Sequence, residues 1–218
     1  MASITMDLGE TSRQYILYLN NSNTIFIMVN ILIFGPPGSG KGTQSVRLAG
    51  KFNLTHLSTG DMLRAEIAAG TELGKKMSSI MSKGELVPDE VVIEMIANRI
   101  DSTKDSAGFL FDGFPRTVAQ TVALEEMLNE RDMKIDSMLV LDVDHDELVK
   151  RLVLRAEQSG RPDDKDPAVI ENRIDVYKEK TEPIINYCRE RGLYQPVNGM
   201  GTIEDIFGRL SAHLEKII

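Results

Sequence analysis

Residues 31–44 read ILIFGPPGSGKGTQ, an apolar tetrad that runs straight into glycines, two prolines and a lysine. Ile31, Leu32, Ile33 and Phe34 have the unbroken apolar character of a strand buried on both faces, as in a parallel sheet. The stretch that follows gives up side-chain volume for backbone freedom, which is useful where the backbone itself must touch a ligand. The spacing G-x-x-x-x-G-K fits a phosphate-binding loop, whose amides cradle phosphate oxygens at a helix N-terminus while Lys41 reaches the terminal phosphates. The usual loop has Ser or Thr directly after the lysine. Here Gly42 follows and the hydroxyl comes one residue later, at Thr43, so the motif alone leaves open which group meets a magnesium ion.

From residue 29 onward, apolar runs alternate with helical patterns, the mark of a doubly wound α/β fold. Expected strands are Val29–Phe34, Leu54–Leu57, Phe109–Asp112, Met138–Val143 and Leu193–Val197. Helices are expected from Gly42 to Phe52, after caps at Ser58, Thr59 and Asp61, after Pro88 and Asp89, over TVAQTVALEEMLNE and DHDELVKRLVLRAE, and from Thr202 to Ile218. Ser58 to Val87 holds two short helices with no strand between them, either an inserted lobe or an added helical hairpin. Gln158 to Pro167, QSGRPDDKDP, is a polar loop between helices, either a mobile flap or a solvated turn.

With 218 residues the chain is long enough for one large domain with small insertions. A net charge of −8 argues against broad binding to nucleic acid or anionic membranes. One cysteine, Cys188, excludes an intramolecular disulfide and a cysteine zinc cluster. His56, His145 and His213 are scattered, each read as a surface or satisfied core residue. Residues 1–28 carry no basic start with a cleavage site and no membrane-length apolar run, so a cytoplasmic setting is expected. This segment is expected to be an unordered leader or the product of a start assigned too early, since MVNILIFGPPGSG would itself make a compact beginning.

Chemistry-bearing residues cluster around the loop motif. Asp112 ends an apolar strand at the edge where open α/β sheets bind ligands, so it could hold magnesium through water. Gly113, Phe114, Pro115 and Arg116 follow it. Arg151 and Arg155 share one helix face, Arg161 lies in the polar loop, and Arg173 on the next helix. Singly these are surface charges. Together, in an acidic chain, they make sense if they converge on several phosphates, which guanidinium groups bind bidentately.

GPPGSGKGTQ, LSTGDMLR, GELVPDEVV, FDGFPRT with Gln120, and SGRPDD resemble, in sequence and order, the adenylate kinase family over roughly residues 29–218. The family's loop reads G-K-G-T, which accounts for the displaced hydroxyl. The resemblance implies a P-loop, doubly wound, five-stranded parallel sheet core with two mobile parts: a helical AMP-binding lobe at 58–87 and a short lid at 154–164. The implied reaction is reversible, MgATP plus AMP giving two ADP, in a cytoplasmic monomer with no structural zinc and with neither nucleic acid nor membrane as partner. Gly38, Ser39, Gly40, Lys41, Gly42, Thr43, Arg151, Arg155 and the backbone of Gly201 would hold ATP. Thr59, Arg64, Glu85, Leu86, Val87, Gly113, Phe114, Pro115, Arg116 and Gln120 would hold AMP, with Arg161 and Arg173 reaching the phosphates in transfer. Lys41, Arg116, Arg155, Arg161 and Arg173 would form the catalytic set.

Two rivals share these motifs. A pyrimidine monophosphate kinase would carry a smaller residue at Thr59, and Gln120 suits adenine by accepting from its amino group and donating to its ring nitrogen. An amide turned end for end, however, suits another base. A nucleotide-binding protein without turnover would be expected to lose some of Lys41, Arg116, Arg155 and Arg161, all of which are present.

Overall fold

The computed structural model describes residues 3–7, 14–19, 25–159 and 166–218. Three short strands come first: β1 (Ser3–Asp7), β2 (Gln14–Leu19) and β3 (Ile25–Ile27) pair antiparallel as a small sheet of their own. The expectation of an unordered leader therefore does not hold for these segments. The rest of 1–24 lies outside the described residues.

The body of the molecule is a five-stranded parallel sheet in the order β5-β6-β4-β7-β8. Its strands are β4 (Val29–Phe34), β5 (Thr55–Ser58), β6 (Gly108–Asp112), β7 (Ser137–Asp142) and β8 (Tyr194–Asn198). β4 lies in the centre and every one of its residues is buried, which is why it reads as an apolar run rather than an alternating one.

Successive side chains of a strand point to opposite faces, and the two cores of the protein follow from this. Leu32 and Phe34 join Phe109, Phe111, Met138 and Val140 on one face. There they meet α4 (Asp89–Ser102) through Ile96, α5 (Val118–Asn129) through Leu124 and Leu128, and α8 (Pro183–Glu190) through Ile184 and Cys188. Ile31 and Ile33 join Leu110, Leu139 and Leu141 on the other face. There they pack on α1 (Lys41–Phe52) through Leu48 and on α9 (Ile203–Leu214) through Ile206, Leu210 and Leu214. Each fully buried side chain of this size contributes roughly 1.5–3 kcal/mol. Cys188 is one of these core residues, and burial pushes its thiol up to about 11.

Two short helices, α2 (Thr59–Ala68) and α3 (Glu72–Ser82), occupy the insertion after β5. The Ser58 hydroxyl accepts from the Asp61 amide and caps α2, as the sequence suggests. On the other side of the sheet, α6 (His145–Ser159) follows β7 and runs through the first half of the expected lid as continuous helix. Residues 160–165 lie outside the described residues. α7 (Pro167–Val176) resumes the chain and passes through a single π-helical turn, Tyr177–Thr181, into α8.

The chain leaves β4 for one side of the sheet (β5, β6) and then crosses to the other (β7, β8). The carboxyl ends of β4, β6 and β7 therefore flank the point where strand order reverses, the place in such sheets where ligands bind.

Candidate active site

The loop leaving β4 is shaped by contacts that leave no room for side chains. Gly38 has φ +87, and a Cβ there would sit 2.9 Å from the Leu148 carbonyl oxygen and 2.9 Å from Leu152 Cγ. Glycine thus lets the loop press against α6, and φ in that range is costly for any other residue. Gly40 precedes α1 with φ 93, and no side chain caps the helix. The first-turn amides of α1 accordingly open onto the loop.

Within the loop Lys41 curls back on itself. Its Nζ donates to the carbonyls of Gly35 (2.6 Å) and Pro36 (3.0 Å) and lies 3.4 Å from the Ser39 hydroxyl. Ser39 is fully buried beneath it. Loss of hydration pushes the Lys41 ammonium from 10.5 down to about 8; Asp112 opposes that drop, and Arg116, Arg155 and Arg173 deepen it. Four cations from four separate parts of the fold therefore share one neighbourhood: α1, the loop after β6, α6 and α7.

Asp112 ends β6 and is 8% exposed. Its Oδ2 lies 3.3 Å from His56 Nε2, because β5 and β6 pair with Ser58 beside Asp112. The first turn of α1 comes close to that carboxylate: a Cβ on Gly42 would touch Asp112 Oδ2 at 3.6 Å, while Thr43 next to it is exposed. Sequence reading places His56 merely on the surface or in the core. Its contact with Asp112 becomes visible only once the two strands are paired.

Beyond Asp112 opens a cleft of about 570 Å³, mouth included. Thr59, Arg64, Glu85, Leu86, Val87, Gly113, Arg116, Gln120 and Arg173 line it, bringing nine residues from distant motifs to one cavity. Thr59 Oγ1 donates to the Gly113 carbonyl (2.8 Å), and Arg116 Nε donates to the same oxygen (2.7 Å). The Arg116 carbonyl in turn accepts from the buried Thr181 hydroxyl in the π-helical turn (3.0 Å). Gly84, with φ +76, lets the stem of Arg173 pass: a Cβ there would sit 2.6 Å from Arg173 Cγ. Asn172 Nδ2 fastens the same helix by donating to the Lys83 carbonyl (2.8 Å).

The remaining expected residues fall elsewhere. Phe114 is 1% exposed and packs in the core, and Pro115 is buried beside it. They shape the backbone between Gly113 and Arg116 and do not line the cleft. Arg151 sits on the flank of the loop, donating to Glu147 Oε1 (2.8 Å), the Ser39 carbonyl (3.4 Å) and the Gly199 carbonyl (3.1 Å). It ties the loop to the turn after β8, where Gly201 stands at φ +106 just before the Thr202 cap of α9. Arg161 lies outside the described residues. Among those described, no three His, Cys, Asp or Glu side chains gather as a metal cluster.

Comparison with known proteins agrees with this geometry. A family model described as adenylate kinase matches residues 33–193. The adenylate kinase of Phocaeicola vulgatus is 50% identical over 190 residues, covering 87% of this chain and all of that protein. That of Bacteroides thetaiotaomicron is 48% identical over 190 residues, with the same coverage of both chains. The adenylate kinase of Maricaulis maris is 48% identical over 188 residues, 86% of this chain and all of its own length.

Proposed function

The chain belongs to the adenylate kinase family, and from that premise we propose that it transfers the terminal phosphoryl group of ATP reversibly to AMP, giving two ADP. The observation that carries the proposal is the cation cluster. Lys41 is held low by desolvation and by three arginines, so the site concentrates positive charge in a partly desolvated place. Such a site favours several phosphates at once, where each added negative charge relieves repulsion already present. The adjoining cleft, lined by Gln120 and the turn Glu85–Val87, would take a nucleoside monophosphate with its phosphate turned towards Arg116 and Arg173.

In this reading the loop Gly38–Thr43 wraps the ATP phosphates through its amides. Lys41 swings from the Gly35 and Pro36 carbonyls to the transferring group. Arg151 keeps the loop's flank in register with the turn near Gly201, while Arg155 and Arg161 approach from the lid side. Phosphoryl transfer needs little covalent help, so no general base is assigned. The cations align donor and acceptor and offset the charge that builds on the equatorial oxygens.

Magnesium suits the residues present. A buried carboxylate at a strand end, beside the first turn of α1, is the hard-oxygen donor that ion favours, the rest of its shell being water and substrate phosphate. Asp112 would hold it through water, with His56 fixing the carboxylate, and the bound ion would neutralise phosphate charge. The segment 154–164 would close as a lid and 58–87 as the AMP-binding lobe, keeping water from the ATP. We assign the reaction to the cytoplasm and to a monomer, as the family resemblance implies. Among the described residues no helix is long and apolar enough to cross a membrane.

A coupled assay with ATP and each of AMP, CMP, UMP and GMP tests this reading. AMP should be much the best acceptor; equal or faster use of CMP or UMP would overturn the adenylate assignment.

A further inference from the structure

The Gln120 side chain is held at both ends. Its Oε1 accepts from the Arg116 amide (2.7 Å), and its Nε2 donates to Asp89 Oδ1 (2.6 Å). The other Asp89 oxygen, Oδ2, accepts from the Thr117 hydroxyl (3.4 Å), which also caps α5 by accepting from the Gln120 amide (3.0 Å). Gln120 itself is 2% exposed. An amide turned end for end would set its oxygen against a carboxylate, which has no proton to give, and its NH₂ against a backbone N–H, which cannot accept. Both contacts would become repulsive in a buried place, where an unmade hydrogen bond is costly. The orientation of this amide is therefore fixed by its neighbours.

A locked amide can read a base. After its two protein bonds, Gln120 keeps one N–H and one oxygen lone pair, and it lines the cleft. An amide facing outward in this sense accepts from an exocyclic amino group and donates to a bare ring nitrogen. Adenine offers that pair in that order, whereas an oxo purine such as hypoxanthine or guanine offers a carbonyl oxygen and a ring N–H, the reverse order. Only a rotated amide could meet the second pattern, and rotation is what Asp89 opposes.

We propose that Asp89, a first-turn residue of α4 that does not itself line the cleft, is the specificity-positioning residue of the acceptor site: it pins the Gln120 amide so that amino purines are accepted and oxo purines refused. The proposal rests on the reading that Gln120 faces the acceptor base. Asp89 comes from the segment after the inserted lobe and Gln120 from the helix after β6, 31 positions apart. The discrimination is thus built across two elements of the fold rather than within the motif that carries Gln120.

The experiment measures kcat/KM with ATP and saturable AMP or IMP for the full chain and for Asp89→Ala, Asp89→Asn and Gln120→Leu. Taking the AMP-to-IMP ratio cancels any loss of folded enzyme. Asp89→Ala should lower that ratio about tenfold or more, through both weaker use of AMP and stronger use of IMP, the size expected when one bond to a charged group is lost. Asp89→Asn can still present an oxygen to Nε2 and should keep the ratio within about threefold. An Asp89→Ala ratio equal to that of the parent chain, with both acceptors reduced alike, would make Asp89 a structural residue and overturn the proposal. Gln120→Leu separates the premise from the inference. If it leaves the ratio unchanged, Gln120 does not read the base and both fail. If it collapses the ratio while Asp89→Ala does not, the lock alone is wrong.

Discussion

Replacing Lys41 with methionine should cripple turnover and leave the empty protein at least as stable as before, because the ammonium is strained in the absence of phosphate. The fall from 10.5 to about 8 corresponds to at most roughly 3 kcal/mol of destabilisation at pH 7, less for the water that still reaches a half-buried group. Methionine keeps the stem and removes the charge. It also removes the donor to the Gly35 and Pro36 carbonyls, worth about 1 kcal/mol each. The balance lies between zero and about 1 kcal/mol in the variant's favour, or up to roughly 4 °C in melting temperature for a chain of this size. The sign can be checked against pH. A lysine lowered in the folded state burdens folding fully below pH 8, where both states are protonated. That burden fades from about 8 to 10.5, as the folded state sheds the proton and the unfolded state keeps it. The variant's advantage should therefore be largest below pH 8 and shrink, then reverse, towards pH 10.5, as read by calorimetry of the two proteins side by side. Turnover with ATP and AMP should fall about 10²–10³-fold. A variant that melts several degrees lower at pH 7 while keeping turnover within about threefold would make Lys41 a structural pillar of the loop and refute the reasoning.

Gly84→Ala should cost roughly 1–2 kcal/mol, since φ +76 is strained for alanine and its Cβ would meet Arg173 Cγ at 2.6 Å. Pushing Arg173 aside should also raise the KM for AMP, so a lower melting point with unchanged AMP kinetics would count against the placement of Arg173 at the acceptor phosphate. A truncated protein beginning at Met28 should keep full activity, because β1, β2 and β3 pair among themselves and β4 is paired on both sides without them. Aggregation or lost activity on truncation would make the first three strands part of the working fold.

What the sequence reveals and what it hides divide along the range of the interactions. Val29–Phe34 is legible to the residue, since burial on both faces writes itself as an unbroken apolar run. The other core strands fall within a residue or so of expectation, their edges blurred where polar residues such as Ser137 and Asn198 still pair. The phosphate loop is legible because its glycines answer local backbone demands. Asp89 is hidden for the opposite reason: from sequence it is a first-turn acid that any helix would welcome, and its role arises only when α4 packs near α5. Arg151 reads as a hand for ATP, yet its contacts make it a clamp between Ser39 and Gly199, carbonyls that no spacing rule connects. The strands β1, β2 and β3 escape notice because three to six residues at a time are too short to write a periodicity of their own.

The most direct test of the central claim follows the transferred group itself. ATP labelled in its γ-phosphoryl group is mixed with excess enzyme, magnesium and AMP, and the label is traced through one turnover. The account predicts that the label appears in the β-position of ADP made from AMP, with almost none released as inorganic phosphate, and that omitting AMP leaves the ATP intact. Label emerging chiefly as inorganic phosphate, or ATP that stays bound and unchanged with AMP present, would contradict it.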